Sequence, residues 1–194
     1  MLISNPDLKA RDLSTVLAEG RRLDDEATRA FGQFSPEQIN WEPSEGEWSI
    51  GQCFDHLIRS DQAFVPIIEA ILAGRRRQSA WERMPLLPSF FGWLLIRTLR
   101  PDSGWKTKAR PAFSPSRSQI AADIVARFLE QQRRLLGLME ATRGLDLNGI
   151  TITSPVSRVI TYRLMDAYRI ILVHEQNHVA QAKRVMEWPG FPSH

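Results

Sequence analysis

A single cysteine, Cys53, rules out any disulfide within the chain and suits a reducing, cytoplasmic setting. A helix that spans a bilayer needs about 20 predominantly apolar residues in a row. The longest apolar stretch, Leu94-Leu95-Ile96 with Phe90, Phe91 and Trp93, is too short and too interrupted for that, so stable membrane insertion is not expected. The N-terminal stretch from Met1 to Glu19 has no apolar core behind a basic start and does not read as a signal peptide. No repeat of fixed period and no low-complexity segment appears.

Acidic residues are nearly missing from residues 74–117, where ten Lys or Arg stand against Glu82 and Asp102 alone; the rest of the chain holds fifteen basic and twenty acidic residues. Such a segment is either a solvated loop or a basic rim that draws in an anionic ligand, with nucleic acid or a membrane surface as weaker readings. Its aromatic residues do not alternate with the basic ones as a base-stacking platform requires, so no nucleic-acid partner is expected.

What is present fits one domain, residues 1–194, with a sizeable core: 43% hydrophobic and 24% charged residues is ordinary for a soluble globular chain. Four stretches, 7–34, 49–73, 117–142 and 159–187, keep apolar residues at helical spacing, which makes the expected fold class all-α, a four-helix bundle. Leu13, Val16, Leu17, Leu23, Ala27 and Phe31 form the inward stripe of the first. Ile50, Phe54, Leu57, Phe64, Val65, Ile68 and Leu72 form that of the second, with a kink or break at Pro66. Ile120, Ile124, Phe128, Leu135, Leu138 and Met139 face inward from the third, which Gly144 stops. Ser49 with Gln52, and Ser116 with Gln119, read as capping boxes, and Trp48 is placed to pack on Cys53 as a hydrophobic staple. The sequence at 150–153 is too short to demand a sheet. Residues 75–115 form a long connection, with a short apolar helix near 90–99. A connection of that length suits two successive long helices that run parallel.

Histidine is scarce, with four in the chain, and two of them stand four residues apart in His174-Glu175-Gln176-Asn177-His178. On a helix that spacing stacks two imidazoles on one face, about 6 Å apart along the axis. The stripe Ile160, Leu164, Ala167, Ile171, His174, His178, Ala182, Val185 turns this face toward the core. Buried polar groups are costly without partners. Two histidines hydrogen-bonded in a core would meet that demand, and so would a shared metal ion, which the in-register pair favours. A metal centre with an open position usually takes three protein ligands. His56 on the second helix is the remaining histidine inside a helix, since His194 sits on a Pro-rich tail; its neighbours Cys53, Ser60 and Ala63 are small and leave room.

These residues resemble the DinB-like (YfiT-like) superfamily. The resemblance runs through Trp41-x-Pro43, Gly46-Glu47-Trp48-Ser49-Ile50-Gly51, His56-Leu57, the basic crossover Lys106-x-Lys108-x-x-Pro111-x-Phe113-x-Pro115, and His174-Glu175-x-x-His178-x-x-Gln181. It implies an up-down-down-up four-helix bundle with the long crossover between helices 2 and 3. It also implies a divalent ion, nickel or zinc, on His56, His174 and His178. Relatives of this kind include S-transferases that use low-molecular-weight thiols and a maleylpyruvate isomerase, so a small-molecule substrate is expected.

The same five letters spell the H-E-x-x-H of zinc proteases, in which the Glu is the general base. The metzincin extension would need Gly and His where Gln181 and Arg184 stand, and no strands precede the motif. Glu175 is therefore read as a helix-surface or outer-shell acid. Cys53 is either a fourth ligand or a small core residue; Gln181 either orients a ligand or caps the bundle end. Asp61 is expected to pair with an arginine or to hold the second nitrogen of a histidine. A metal-dependent transferase or hydrolase is the leading functional reading, and a non-enzymatic ligand- or partner-binding bundle the alternative. The apolar crossover and its tryptophans call for cover, which a two-fold homodimer would supply.

Overall fold

Strings of apolar residues at helical spacing become helices that bury those residues together. The computed structural model describes residues 12–83, 87–98, 114–116 and 119–193, with the backbone alone at 87–89. The expectations for residues 7–11, Trp105 to Phe113, Arg117, Ser118 and His194 lie outside the described residues.

Helix α1 (Leu13–Phe31) opens on Asp12, whose carboxylate accepts the Thr15 backbone N–H at 2.8 Å. A short α2 (Pro36–Asn40) follows, capped by Ser35 and Gln38 in a reciprocal box. The box at Ser49 forms as expected: Ser49 Oγ accepts Gln52 N–H at 3.2 Å, and Gln52 Oε1 accepts Ser49 N–H at 3.0 Å. It starts α3 (Ile50–Gln62). The chain then breaks and restarts as α4 (Val65–Leu72), because Pro66 has no N–H to donate and its ring clashes with the preceding turn. Leu72, expected inward, is the last residue of α4 and is exposed.

The apolar helix in the connection is α5 (Leu87–Thr98), preceded by a single 3-10 turn at Trp81–Arg83. Helix α6 (Ile124–Ala141) begins seven residues later than the expected 117. The chain ahead of it is tied down sideways: the Asn40 side chain accepts Ile120 N–H at 2.7 Å and donates to Ile120 O at 2.9 Å, as a strand partner would. This brings Ile120 so close to α3 that a Cβ at Gly51 would stand 3.0 Å from Ile120 Cβ and 2.9 Å from Ile39 Cγ2.

One departure from the all-α expectation is a small antiparallel hairpin, β1 (Thr151–Thr153) with β2 (Thr161–Arg163), in register Ile152 opposite Tyr162. Its β-branched and aromatic residues suit a pleated surface, and Glu82 stitches it down by accepting from both N–H and Oγ1 of Thr153. Arg76 pairs with Glu82 from the other side. The last helix, α7 (Leu164–Met186), therefore starts five residues later than expected.

The long helices α1 and α3 each pack against both α6 and α7, while α5 lies on β2 and α7. The apolar core falls into two clusters. One gathers Leu17, Ile68, Leu135, Met139, Tyr168 and Ile171, and the other Phe31, Phe54, Leu57, Phe128, Val179 and Ala182. Between these clusters, along each long helix, lie polar residues. No helix among the described residues is long and apolar enough to cross a membrane.

The cap at Ser49 sets the first turn of the helix that carries His56. Replacing Ser49 by Ala is expected to lower unfolding stability by about 1 kcal/mol, read as a shifted urea midpoint with an unchanged slope.

Candidate metal centre

Helix α3 presents His56 two turns from its start, and α7 presents His174 and His178 at its middle. The three imidazoles converge: each offers one nitrogen, and these atoms lie within 4.8 Å of one another. His56 is buried; His174 and His178 keep partial access to solvent. The ring nitrogens His56 Nε2 and His174 Nε2 are 3.1 Å apart. Two nitrogens on one tetrahedral ion stand about 3.3 Å apart, and this pair lies close to that spacing. His178 Nδ1 faces Gln181 Oε1 at 2.9 Å. Because the amide oxygen only accepts, the proton sits on Nδ1, and the His178 Nε2 lone pair is left free.

The rings also hold one another in place. Those of His56 and His178 are 4.5 Å apart, those of His174 and His178 4.7 Å, and both pairs meet edge to face. Trp48 closes one side, stacked on His178 at 5.6 Å and 17°, and tilted against His56 at 5.0 Å. Burial pushes the His174 pKa well below the ordinary imidazole value, with the neighbouring His178 and His56 adding to it. Burial likewise pushes His178 down to about 3, against a smaller upward pull from the Gln181 hydrogen bond. His174 and His178 are therefore neutral at physiological pH, the state in which imidazole is a ligand.

The other candidates take different places. Cys53 is buried in the core and does not join the cluster, and burial raises its thiol to about 12. Ser60 is buried one turn beyond His56. Gln181 meets His178 through the 2.9 Å contact of its Oε1 with Nδ1. Glu175 is not a helix-surface acid. It lies buried, its Oε2 accepting from Gln132 Nε2 of α6 at 2.7 Å, with the buried carboxyl of Asp61 on α3 beside it. Asp61 thus has a carboxyl partner instead of the expected arginine or histidine. Burial holds both carboxyls well above the usual range, and for Glu175 the Asp61 charge adds to the effect. A proton held by the pair relieves both the burial and the repulsion. Glu175 stands apart from the imidazole cluster, and the only sheet among the described residues has two strands, so the features of a zinc protease do not assemble.

Two residues at or beside the site were missed. Trp48 packs against the core cluster that holds Cys53, in keeping with its reading as a staple, and its ring also spans two histidines. Gln132 carried a usable signal, since it occupies the inward stripe of α6 four residues beyond Phe128, where an apolar residue would ordinarily stand.

The family model described as the DinB superfamily matches residues 20–182. Among solved structures, the chain is similar to YfiT from Bacillus subtilis, described as "a probable metal-dependent hydrolase with an unusual four-helix bundle topology". The two share 14% identity with a TM-score of 0.57, over 94% of this chain and 90% of that one, a likeness of fold. No curated protein matches the chain.

The polar residues between the two core clusters include Asp24 of α1, whose carboxyl burial raises to about 6 against the pull of Arg133. A raised carboxyl pKa favours the folded state at low pH, and that contribution is lost as pH rises through the folded value. Asp24→Asn is expected to stabilise the metal-free protein at pH 7.5 by on the order of 1 kcal/mol, discounted for a half-buried position, and by little at pH 4. Urea unfolding at the two pH values checks this; an equal effect at both would not fit.

Proposed function

The chain belongs to the DinB superfamily, and from that premise we propose that it holds a divalent ion, nickel or zinc, on His56, His174 and His178 and acts on a small molecule as a metal-dependent enzyme of thiol S-transferase or hydrolase type. The observation that carries the reading is the convergence of three imidazole nitrogens within 4.8 Å, brought together from two helices. Imidazole sets of this kind suit nickel and zinc. When bound, such an ion supplies Lewis acidity, lowering the pKa of a water or a thiol to near neutrality.

The chain's own residues divide the remaining work. Gln181 fixes the tautomer of His178 and so aims its Nε2 lone pair. Trp48 walls the cluster on one side and limits water there. Cys53, with its thiol raised to about 12, offers no nucleophile of its own. If a thiol is the nucleophile it comes from outside, which fits a low-molecular-weight thiol as second substrate. Glu175, engaged by Gln132 and Asp61, takes no proton at this site. In this reading residues 1–194 are one domain working in the cytoplasm, an up-down-down-up bundle whose long crossover joins its second and third long helices.

Elemental analysis of natively purified protein tests the proposal. His56→Ala, His174→Ala and His178→Ala should each strip most of the ion, whereas Cys53→Ala, Glu175→Gln and His194→Ala should leave the content nearly unchanged. Gln181→Ala should weaken metal affinity about 10- to 100-fold. Nickel should quench Trp48 fluorescence, and Trp48→Phe should lose that quenching. A full equivalent of metal in His56→Ala would show the ligand set to be wrong. Thiol-transfer and hydrolase assays with the ion found then separate the two enzyme types. Activity with neither, together with a closed four-coordinate ion, would favour the non-enzymatic bundle.

A further inference from the structure

Helix α5 is apolar on two faces, and one of them is uncovered. Its inner face is fixed closely to the body: a Cβ at Gly92 would stand 2.8 Å from Asp166 Oδ2 and 3.0 Å from Asp166 Cβ, and Leu95 and Ile96 pack against the core. On the opposite face, Phe90, Trp93, Leu94 and Arg97 recur at i, i+3, i+4 and i+7 and form one outward stripe. Phe90 is 54% exposed and Trp93 57%. A helix apolar all round ordinarily belongs in an interior.

Among the described residues of 74–98 the exposed charge is of one sign. Arg75, Arg77, Arg83 and Arg97 are exposed, and no acidic side chain among the described residues pairs with them. Arg97 lies over the Trp93 ring at 5.7 Å. The segment carries ten basic residues against two acidic ones, while the rest of the chain is net acidic. A second copy of the chain is a poor cover. A two-fold interface sets a patch against itself, so Arg97 on the stripe of one copy would meet a face of the same charge on the other. Aromatic side chains with arginines beside them instead match the boundary of an anionic bilayer, where the rings settle at headgroup depth and the guanidinium groups meet lipid phosphates.

We propose that the outward stripe of α5 docks the protein peripherally on an anionic lipid surface, with Phe90 and Trp93 entering the interface and the flanking arginines facing the headgroups. This surface is independent of the histidine cluster, and the proposal stands or falls apart from the metal reading.

Co-sedimentation of the full chain with vesicles tests it, using phosphatidylcholine alone and phosphatidylcholine with phosphatidylglycerol. The anionic vesicles should bind the protein about tenfold more tightly or better, and added salt should weaken the binding. Brominated lipid should quench tryptophan fluorescence, and Trp93→Phe should lose most of that quenching. Phe90→Ser with Trp93→Ser, and separately Arg75→Gln with Arg77→Gln, should each release the protein while the helical circular dichroism is kept. Because both stripe residues are exposed, the first variant tests docking apart from folding. Absence of sedimentation with anionic vesicles at low salt would overturn the proposal. So would a dimer in the ultracentrifuge that the Phe90/Trp93 variant dissociates, since a second copy would then occupy the face.

Discussion

The structure depends on how four helices bury a polar layer between two apolar ones. Phe31, Phe54 and Phe128 anchor one end of the core, and Leu17, Leu135 and Tyr168 the other. Between them come Asp24 on α1, Asp61 on α3, Gln131 and Gln132 on α6, and Glu175 on α7. Polar groups removed from water must find partners inside the protein or keep their protons. Both solutions are visible. Gln132 donates to Glu175, and the Asp61–Glu175 pair and Asp24 have their pKa values raised by burial. Several oxygens of this layer, among them Asp61 Oδ2, Glu175 Oε1 and Gln132 Oε1, find no further protein partner. Such a layer costs stability that an all-apolar core would keep, and it constrains the register of the helices that meet there.

Much of the architecture was legible because it rests on local physics. The Ser49–Gln52 box, the break at Pro66 and the apolar stripe of α1 each follow from a few neighbouring residues and appear as expected. The histidine spacing placed His174 and His178 on one face for the same reason. The hairpin was not legible. Three residues per strand give too little pattern, and what holds it is long-range, from Glu82 to Thr153 and from α5 onto β2. The late start of α6 has the same character, since Asn40 of α2 holds Ile120 in an extended pairing that no local signal announces.

The misreading of Glu175 follows from treating α7 as a helix with one buried face. A residue next to His174 is turned about 100° around the axis, which on an amphipathic helix means the surface. But α7 packs against α1, α3 and α5 and reaches α6 through Glu175, so it is buried on more than one side. Its run Ile170-Ile171-Leu172-Val173, buried throughout, was the sequence sign of that. An acid in a helix buried all round has to be partnered inside, and Gln132 on the inward stripe of α6 was the residue available.

Seen this way, the two polar sets on α7 serve different ends. His174 and His178 keep partial access to solvent and meet His56 through ring nitrogens gathered within 4.8 Å of one another. Glu175 is sealed in, its Oε2 held by an amide, with a second carboxyl, Asp61, beside it. Both sets clasp α7 to α3, through His56 on one side and Asp61 on the other, five residues apart along α3. A rotation of α7 that kept the imidazoles together but broke the carboxyl pair would strand a buried acid, and the reverse would scatter the imidazoles. The sealed pair therefore holds the angle of α7 about its own axis, which is the one degree of freedom that spacing along a helix leaves open and the one that a shared focus for three imidazoles requires.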